Sequence, residues 1–307
     1  MRALVPTGRP GDLIEFATVP DPTPTADEAL VRIEAFSLNR PDYLYLSMPG
    51  GSFRPGIDVA GAVVRAAADG SGPAEGARVV AHLPGGGGAA ELASVRTTQV
   101  AAIPVGVDAA TAASLPLAGM VALRLLREAG ELDGRRLLAT GVTGGVGQFI
   151  VQLAVGSGAH VTAVARPGDP WEHLAAAGAE VVHSLDGVPA HYDVALESVG
   201  GAVGSAAATK LRRDGLFLWF GEASSEPLTL DFFRLFEGGE GMTLRHFVYS
   251  DAAPGADARD IAALLDLAAA GRLTVELGHH GDWSATPRVL ELIATGSLRG
   301  KAVLTVG

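Results

Sequence analysis

A glycine-rich turn carries the plainest chemistry in this chain. Thr140-Gly141-Val142-Thr143-Gly144-Gly145-Val146-Gly147 follows the short apolar run 136–139 and opens an amphipathic pattern that reaches Gly156. A second apolar run, 160–165, comes next. Strand, tight turn, helix and strand within about thirty residues form the setting in which a dinucleotide pyrophosphate is bound. Gly144 and Gly147 are expected to let the backbone approach the anion. A helix beginning near Val146 turns its free N–H groups and positive dipole end toward that anion. Thr140 and Gly141 end the first strand, where hydroxyl and backbone groups reach phosphates. Val142, Thr143 and Gly145 fill the turn.

The coenzyme is read after the second strand. NAD usually meets an acid there, about twenty residues past the glycines. This chain has Arg166-Pro-Gly-Asp169-Pro170 instead. Arg166 suits a 2′-phosphate through bidentate, charge-assisted contacts, so NADPH is the expected coenzyme, with a solvated loop arginine as the alternative. Asp169, before Pro170, fits a helix N-cap. Ser198, Val199 and Gly200 end a later strand, and Phe220 and Gly221 end another. Ligands gather along that carboxyl edge in doubly wound folds, and Phe220 is placed to wall a nicotinamide pocket. Only two lysines occur among 23 basic side chains. One of them, Lys301, is read as reaching a cofactor phosphate or capping a cleft, with a surface lysine as the alternative.

These groups need two kinds of scaffold. Up to about residue 115 the pattern is β-rich. Residues 29–36 alternate at period two, and 59–64 and 77–81 are short apolar strands separated by proline and glycine clusters. Such spacing suggests a small, barrel-like antiparallel domain. Short helices follow at 108–116 and 119–129. Strands at 136–140, 160–165, 180–183, 193–197 and 215–220 then alternate with helices near 146–156, 170–177 and 202–211. That alternation means a doubly wound parallel sheet. Residues 242–249 read as a further strand. The tail reads as a helix 257–270, a strand 273–277, a helix 285–295 and a strand 301–306. It is expected to return to the first domain and leave a cleft between the two.

Composition narrows the partners. The 307 residues are 48% hydrophobic and 19% charged, as in a globular protein, with a net charge of −11. An acidic chain without a basic run argues against nucleic acid and anionic membranes. The absence of cysteine removes disulfides, iron–sulfur clusters and thiolate zinc sites. With no apolar span of membrane length and no signal-peptide core, a cytoplasmic protein acting on a small molecule is expected.

Taken together, the pieces resemble the zinc-free branch of the medium-chain dehydrogenase/reductase superfamily, nearest to quinone oxidoreductases and related enone or enoyl reductases. The carriers are Leu38-Asn-Arg-Pro-Asp42, Pro55-Gly-Ile-Asp-Val-Ala-Gly61, Ser114-Leu-Pro-Leu-Ala-Gly119, the glycine turn, Glu197-Ser-Val-Gly-Gly201 and Gly300-Lys-Ala-Val303. They occur in the family's order and cover essentially the whole chain. The resemblance implies an α/β protein. Its GroES-like β-rich catalytic domain would comprise residues 1–115 and 256–307, and its Rossmann NADPH-binding domain residues 116–255. It also implies a homodimer, or a homotetramer as in other members, and reduction of quinones or α,β-unsaturated carbonyl compounds.

In zinc-dependent relatives a cysteine ligand stands at the place of Asn39 and a histidine ligand at that of Ile57. Neither replacement makes a Cys/His zinc site, so no metal is expected. Without a Lewis acid, simple ketones lose help that an activated double bond needs less. Asn39 is read as a polar contact to nicotinamide or substrate oxygen, or as a turn asparagine. Tyr43 and Tyr45 flank Leu44, where relatives often carry a tyrosine, and either compensate for it or pack. Asp58 reads as a structural tie or a site carboxylate, and His82 as a possible acid. His279 and His280 read as surface-loop residues. Val121 stands where relatives often have a ribose-contacting threonine. Two rival functions are an enoyl-thioester reductase of a biosynthetic pathway and a non-catalytic NADPH-binding protein.

Overall fold

A computed structural model of the chain describes residues 1–9, 11–249, 253 and 255–307. The chain divides into two compact units, one of Met1–Met120 with Ala252–Gly307 and one of Val121–Asp251.

The first unit is built on a seven-stranded sheet. Its order is Leu277–Asp282, Lys301–Thr305, Glu28–Leu38, Asp58–Arg65, Arg78–His82 and Val100–Ala102, with Leu92–Arg96 paired off this path to Glu28–Leu38. All pairings are antiparallel except that of Leu277–Asp282 with Lys301–Thr305. The strand Glu28–Leu38 alternates buried and exposed residues, then buries its last four. Its final residues thus face cover on both sides. Phe36, Leu38, Val59, Val79, Trp283 and Leu290 belong to one apolar core here. The register fixes what stands beside what. Ser37 is opposite Asp58, Asp58 is opposite His82, and Leu38 is opposite Ala302. Asn39 and Lys301 are the next residues along that last antiparallel pair, so the pairing carries them toward each other.

The second unit holds a six-stranded, wholly parallel sheet. Its order is Glu180–Val182, His160–Val164, Arg136–Thr140, Tyr192–Glu197, Leu211–Trp219 and Thr243–His246. Numbered along the chain this is 3-2-1-4-5-6, the dinucleotide-binding order. The order reverses between Arg136–Thr140 and Tyr192–Glu197, and Thr140 and Glu197 end those two strands. Leu137, Leu138, Ala139, Val194 and Leu196 are all fully buried, as strands covered on both faces require. The helix Gly147–Gly156 follows the first strand, and Gly201–Ala208 follows the fourth.

Three local expectations are corrected. The helix placed at 170–177 is only Glu172–Ala176, and Trp171 stands at its N-cap. Asp169 accepts a hydrogen bond from the Thr143 hydroxyl at 2.7 Å instead. The strand placed at 273–277 is Leu277–Asp282, because the pairing partner Lys301–Thr305 lies alongside those residues. Leu273 is buried as a single anchor rather than as part of a strand. His279 and His280 consequently sit in a strand, not in a loop.

Candidate functional site

In the first unit, a buried polar cluster forms where four strands and one helix start or end. Asn39 precedes the helix Arg40–Leu46, in which Pro41 supplies a φ suited to the first turn. Asp42, in that turn, takes the Asn39 backbone N–H at 2.8 Å and the Gly56 N–H at 2.8 Å. The Asn39 carboxamide donates through Nδ2 to Asp58 Oδ2 at 2.9 Å. Its Oδ1 accepts from Lys301 Nζ at 2.5 Å. Asp58 Oδ1 meets His82 Nδ1 at 3.0 Å and accepts the Leu117 N–H at 3.1 Å. Lys301 Nζ is 3.8 Å from Asp58 Oδ2.

Asp42, Asp58 and His82 are 0% exposed and Lys301 is 2% exposed, so water screens these charges little. Burial drives the Asp42 carboxyl up to about 7 and outweighs the two N–H donors that favour its charge. Burial also lowers Lys301, against the pull of Asp58 and Asp42. The cluster is therefore held by mutual pairing. Lys301 lies inside the protein with its ammonium taken up by Asn39, which corrects both the phosphate-reaching and the surface readings of it. Asp58 joins strand, helix and histidine, as a structural tie would.

The two tyrosines diverge. Tyr43 is half-buried against the apolar core, and Tyr45 is 38% exposed, with its ring edge-on to Phe53 at 5.1 Å. Leu44 between them is exposed.

In the second unit the glycine turn has separable parts. Gly141 has φ +63°, and a side chain there would meet Ser198 Oγ at 2.4 Å. Gly147 is the first residue of the helix, and a Cβ there would lie 2.3 Å from the Gly141 oxygen and 2.4 Å from the Val142 Cα. The missing side chain is what lets the turn pack closely on the helix. Gly144 is different, since a Cβ there meets only the Gly141 oxygen at 3.3 Å. Gly144, Gly145 and Val146 are half-buried, and Val142 and Thr143 are buried. Arg166 reaches Asp169 Oδ1 at 3.3 Å and keeps 61% of its side chain exposed. Asp169 thereby links Arg166 to Thr143. Val121, lacking a hydroxyl, is 9% exposed.

Sequence reasoning missed the part played by Glu197. Its carboxylate is fully buried at the point where the sheet order reverses. Oε1 accepts from the Thr140 hydroxyl at 3.1 Å, the Val199 N–H at 2.6 Å and the Gly200 N–H at 2.9 Å. Thr140 Oγ1 in turn accepts the Ser198 N–H at 3.1 Å. Burial raises the Glu197 carboxyl, and those donors oppose the rise. The signal was present: a carboxylate ending an otherwise apolar strand and running straight into Ser-Val-Gly-Gly. Phe220 and Gly221 stand beside this group, with the Phe220 N–H on the Glu197 carbonyl at 2.9 Å and the Gly221 α-carbon facing Ser198.

Comparisons with known proteins agree with both halves. The family model described as "Alcohol dehydrogenase GroES-like domain" matches residues 25–105, and the one described as "Zinc-binding dehydrogenase" matches residues 172–304. Despite that description, the residues do not fit a zinc. The chain has no cysteine, and among the described residues no three His, Asp or Glu side chains gather as a metal site. A chloroplast envelope quinone oxidoreductase homolog of Arabidopsis thaliana is 40% identical over 168 residues, 49% of this chain and 50% of that protein. The chain spans about half the length of the curated quinone oxidoreductase relatives it matches. The spectinabilin polyketide synthase system protein NorB of Streptomyces orinoci is 30% identical over 288 residues, 90% of this chain and 13% of that protein. In structure, the Escherichia coli quinone oxidoreductase complexed with NADPH superposes with a TM-score of 0.88 at 19% identity, covering 99% of this chain and 100% of that one. With both family domains matched in order on one fold, the chain belongs to the medium-chain dehydrogenase/reductase superfamily, and it is similar over about half its length to quinone oxidoreductases.

Proposed function

We propose that this chain is an NADPH-dependent oxidoreductase that reduces quinones or α,β-unsaturated carbonyl compounds without a metal. One observation carries the reading. Where a zinc enzyme would need ligands, this chain has a neutral carboxamide held between an ammonium and a carboxylate. Such a group donates a hydrogen bond to an oxygen that gains charge, and it asks for an already activated double bond. NADPH, when bound, supplies the hydride.

The chain's own residues do the rest. Thr140, Gly141, Thr143, Gly144, Gly145 and Val146 cradle the phosphates, with Gly147 packing the turn. Arg166 takes the 2′-phosphate. Ser198, Val199, Phe220 and Gly221 flank the nicotinamide. Asn39 holds the developing enolate oxygen, and the proton comes from water or from Tyr43 or Tyr45.

We also propose a homodimer in the cytoplasm. The exposed edge strand Thr243–His246 and the exposed Phe232, Phe233 and Phe236 of the same unit support a second copy as partner. Among the described residues no helix is long and apolar enough to cross a membrane.

A second reading, an enoyl-thioester reductase, is favoured by the match across 90% of this chain to a polyketide synthase protein. Following NADPH oxidation with quinones, enones, enoyl thioesters and simple ketones separates the readings. Quinones and enones should turn over and simple ketones should not. Turnover of thioesters alone would install the second reading, and NADPH binding without any turnover would leave a cofactor-binding protein.

A further inference from the structure

The Asn39 carboxamide has no choice of orientation. A lysine ammonium only donates and a carboxylate only accepts. Lys301 Nζ at 2.5 Å must therefore face the amide oxygen, and Asp58 Oδ2 at 2.9 Å must face the amide nitrogen. The oxygen and nitrogen of an asparagine are usually assigned by inference, but here the two neighbours decide them. Both neighbours are buried. Lys301 is itself anchored by its place in the sheet, one residue before the Ala302–Leu38 pair.

One amide proton then remains uncommitted by these two partners. An ammonium against the amide oxygen also draws electron density from the nitrogen, which makes the remaining N–H a stronger donor. We propose that Lys301 is a positioning residue. It fixes and polarises Asn39 so that the second Nδ2 proton is presented to the carbonyl oxygen of a quinone or enone substrate. The inference rests on the reading of Asn39 given above and adds the residue that enforces it. It also explains why a lysine is kept here in a chain that otherwise uses arginine almost throughout. A guanidinium is a wide fork, whereas this contact needs one compact charge.

The test is a double-mutant cycle, with kcat, KM and NADPH affinity measured for the native chain, Asn39→Ala, Lys301→Met and the double variant. Asn39→Ala should lower kcat at least about tenfold, as loss of a donor aimed at developing charge does. Lys301→Met should lower kcat by about tenfold in the native background and by less than about twofold in Asn39→Ala, with NADPH affinity nearly unchanged. Lys301→Gln, which keeps a donor for the amide oxygen, should recover part of the loss. It also stands in for Lys301→Met if that variant does not fold. Equal losses from Lys301 substitution in both backgrounds would overturn the inference while leaving Asn39 in place. Unaltered kcat in Asn39→Ala would overturn the reading of Asn39 and this inference with it.

Discussion

Two buried carboxylates, one in each unit, organise the polar groups and do so in opposite ways. Asp58 gathers mostly side chains: Asn39, His82 and Lys301, with a single backbone N–H from Leu117. Glu197 gathers mostly backbone: the N–H groups of Val199 and Gly200, with a single side chain from Thr140. The first arrangement joins positions 262 residues apart. The second shapes the turns on either side of the point where the parallel sheet reverses its order. A side-chain cluster is a set of mutually dependent charges, so removing one member strands another. A carboxylate fed by backbone donors keeps a loop in shape, and loops at a surface can turn to water.

The largest test of that contrast is Asp58→Ala. It leaves the Lys301 ammonium buried beside Asn39 without its nearest carboxylate. Breaking a buried pair by removing one partner costs about 3–5 kcal/mol. The denaturation midpoint should fall steeply, or soluble protein should be lost. Glu197→Ala should cost less, roughly 1–3 kcal/mol for the orphaned donors, and should show mainly as weaker NADPH binding. If Glu197→Ala proves the more destabilising in urea titrations, the contrast is drawn the wrong way round.

The glycine turn offers a sharper division within one unit. Gly147→Val forces atoms against the backbone of Gly141 and Val142, and overpacking of that kind costs about 1–3 kcal/mol or more. Calorimetry should show a lowered midpoint. Gly144→Val meets only one backbone atom, at 3.3 Å. It should keep most of the native midpoint and lose NADPH affinity in fluorescence titrations. Normal NADPH binding by Gly144→Val would remove the phosphate site from this turn.

Next in size is the pH response of the first unit. Asp42 is raised by burial from 3.8 to about 7. An acid raised on folding holds its proton in the folded chain after the unfolded chain has released it. Stability from this group therefore falls as pH rises between about 4 and 7, and the full cost is felt above that window. In Asp42→Asn the slope of the thermal midpoint over this range should flatten relative to the native chain. Parallel slopes would mean that Asp42 is already ionised at the low end.

The smallest effect is expected at Arg166, whose charge is mostly exposed. Arg166→Ala should weaken NADPH by roughly tenfold, the lower end for a hydrogen bond to a charged group, and leave NADH nearly unchanged. Equal losses for both coenzymes would assign Arg166 to holding Asp169 and its link to Thr143.

The same contrast explains what could be read from the residues alone. The glycine turn and the parallel sheet were legible because their rules are local: apolar runs, a glycine at positive φ, a helix start. The family domains followed from short motifs in the right order. The Asn39–Lys301 contact was not legible, because it depends on the register of strands distant in sequence. Lys301 was read as reaching a cofactor phosphate or capping a cleft, or as a surface residue, since a lone lysine seldom goes inside without a partner and the partners lie far away in sequence. The packing need at Gly147 was not legible, because pyrophosphate approach and backbone packing both ask for glycine. His279 and His280 were placed in a loop because strand Leu277–Asp282 is polar and mostly exposed, without the alternation that marks a strand.

The position of Lys301–Thr305 in its sheet bears on how the chain is made. That strand lies between Leu277–Asp282 and Glu28–Leu38, so it is an inner strand and not an edge. Residues up to 120 therefore leave the ribosome with one long strand unpaired along one side and Asp58 without its lysine. Residues 121–251 are contiguous and can close their own parallel sheet while the first unit still waits. The sheet of the part made second can thus be completed before the sheet of the part made first. Until Lys301–Thr305 is made, one side of strand Glu28–Leu38 presents an unpaired edge.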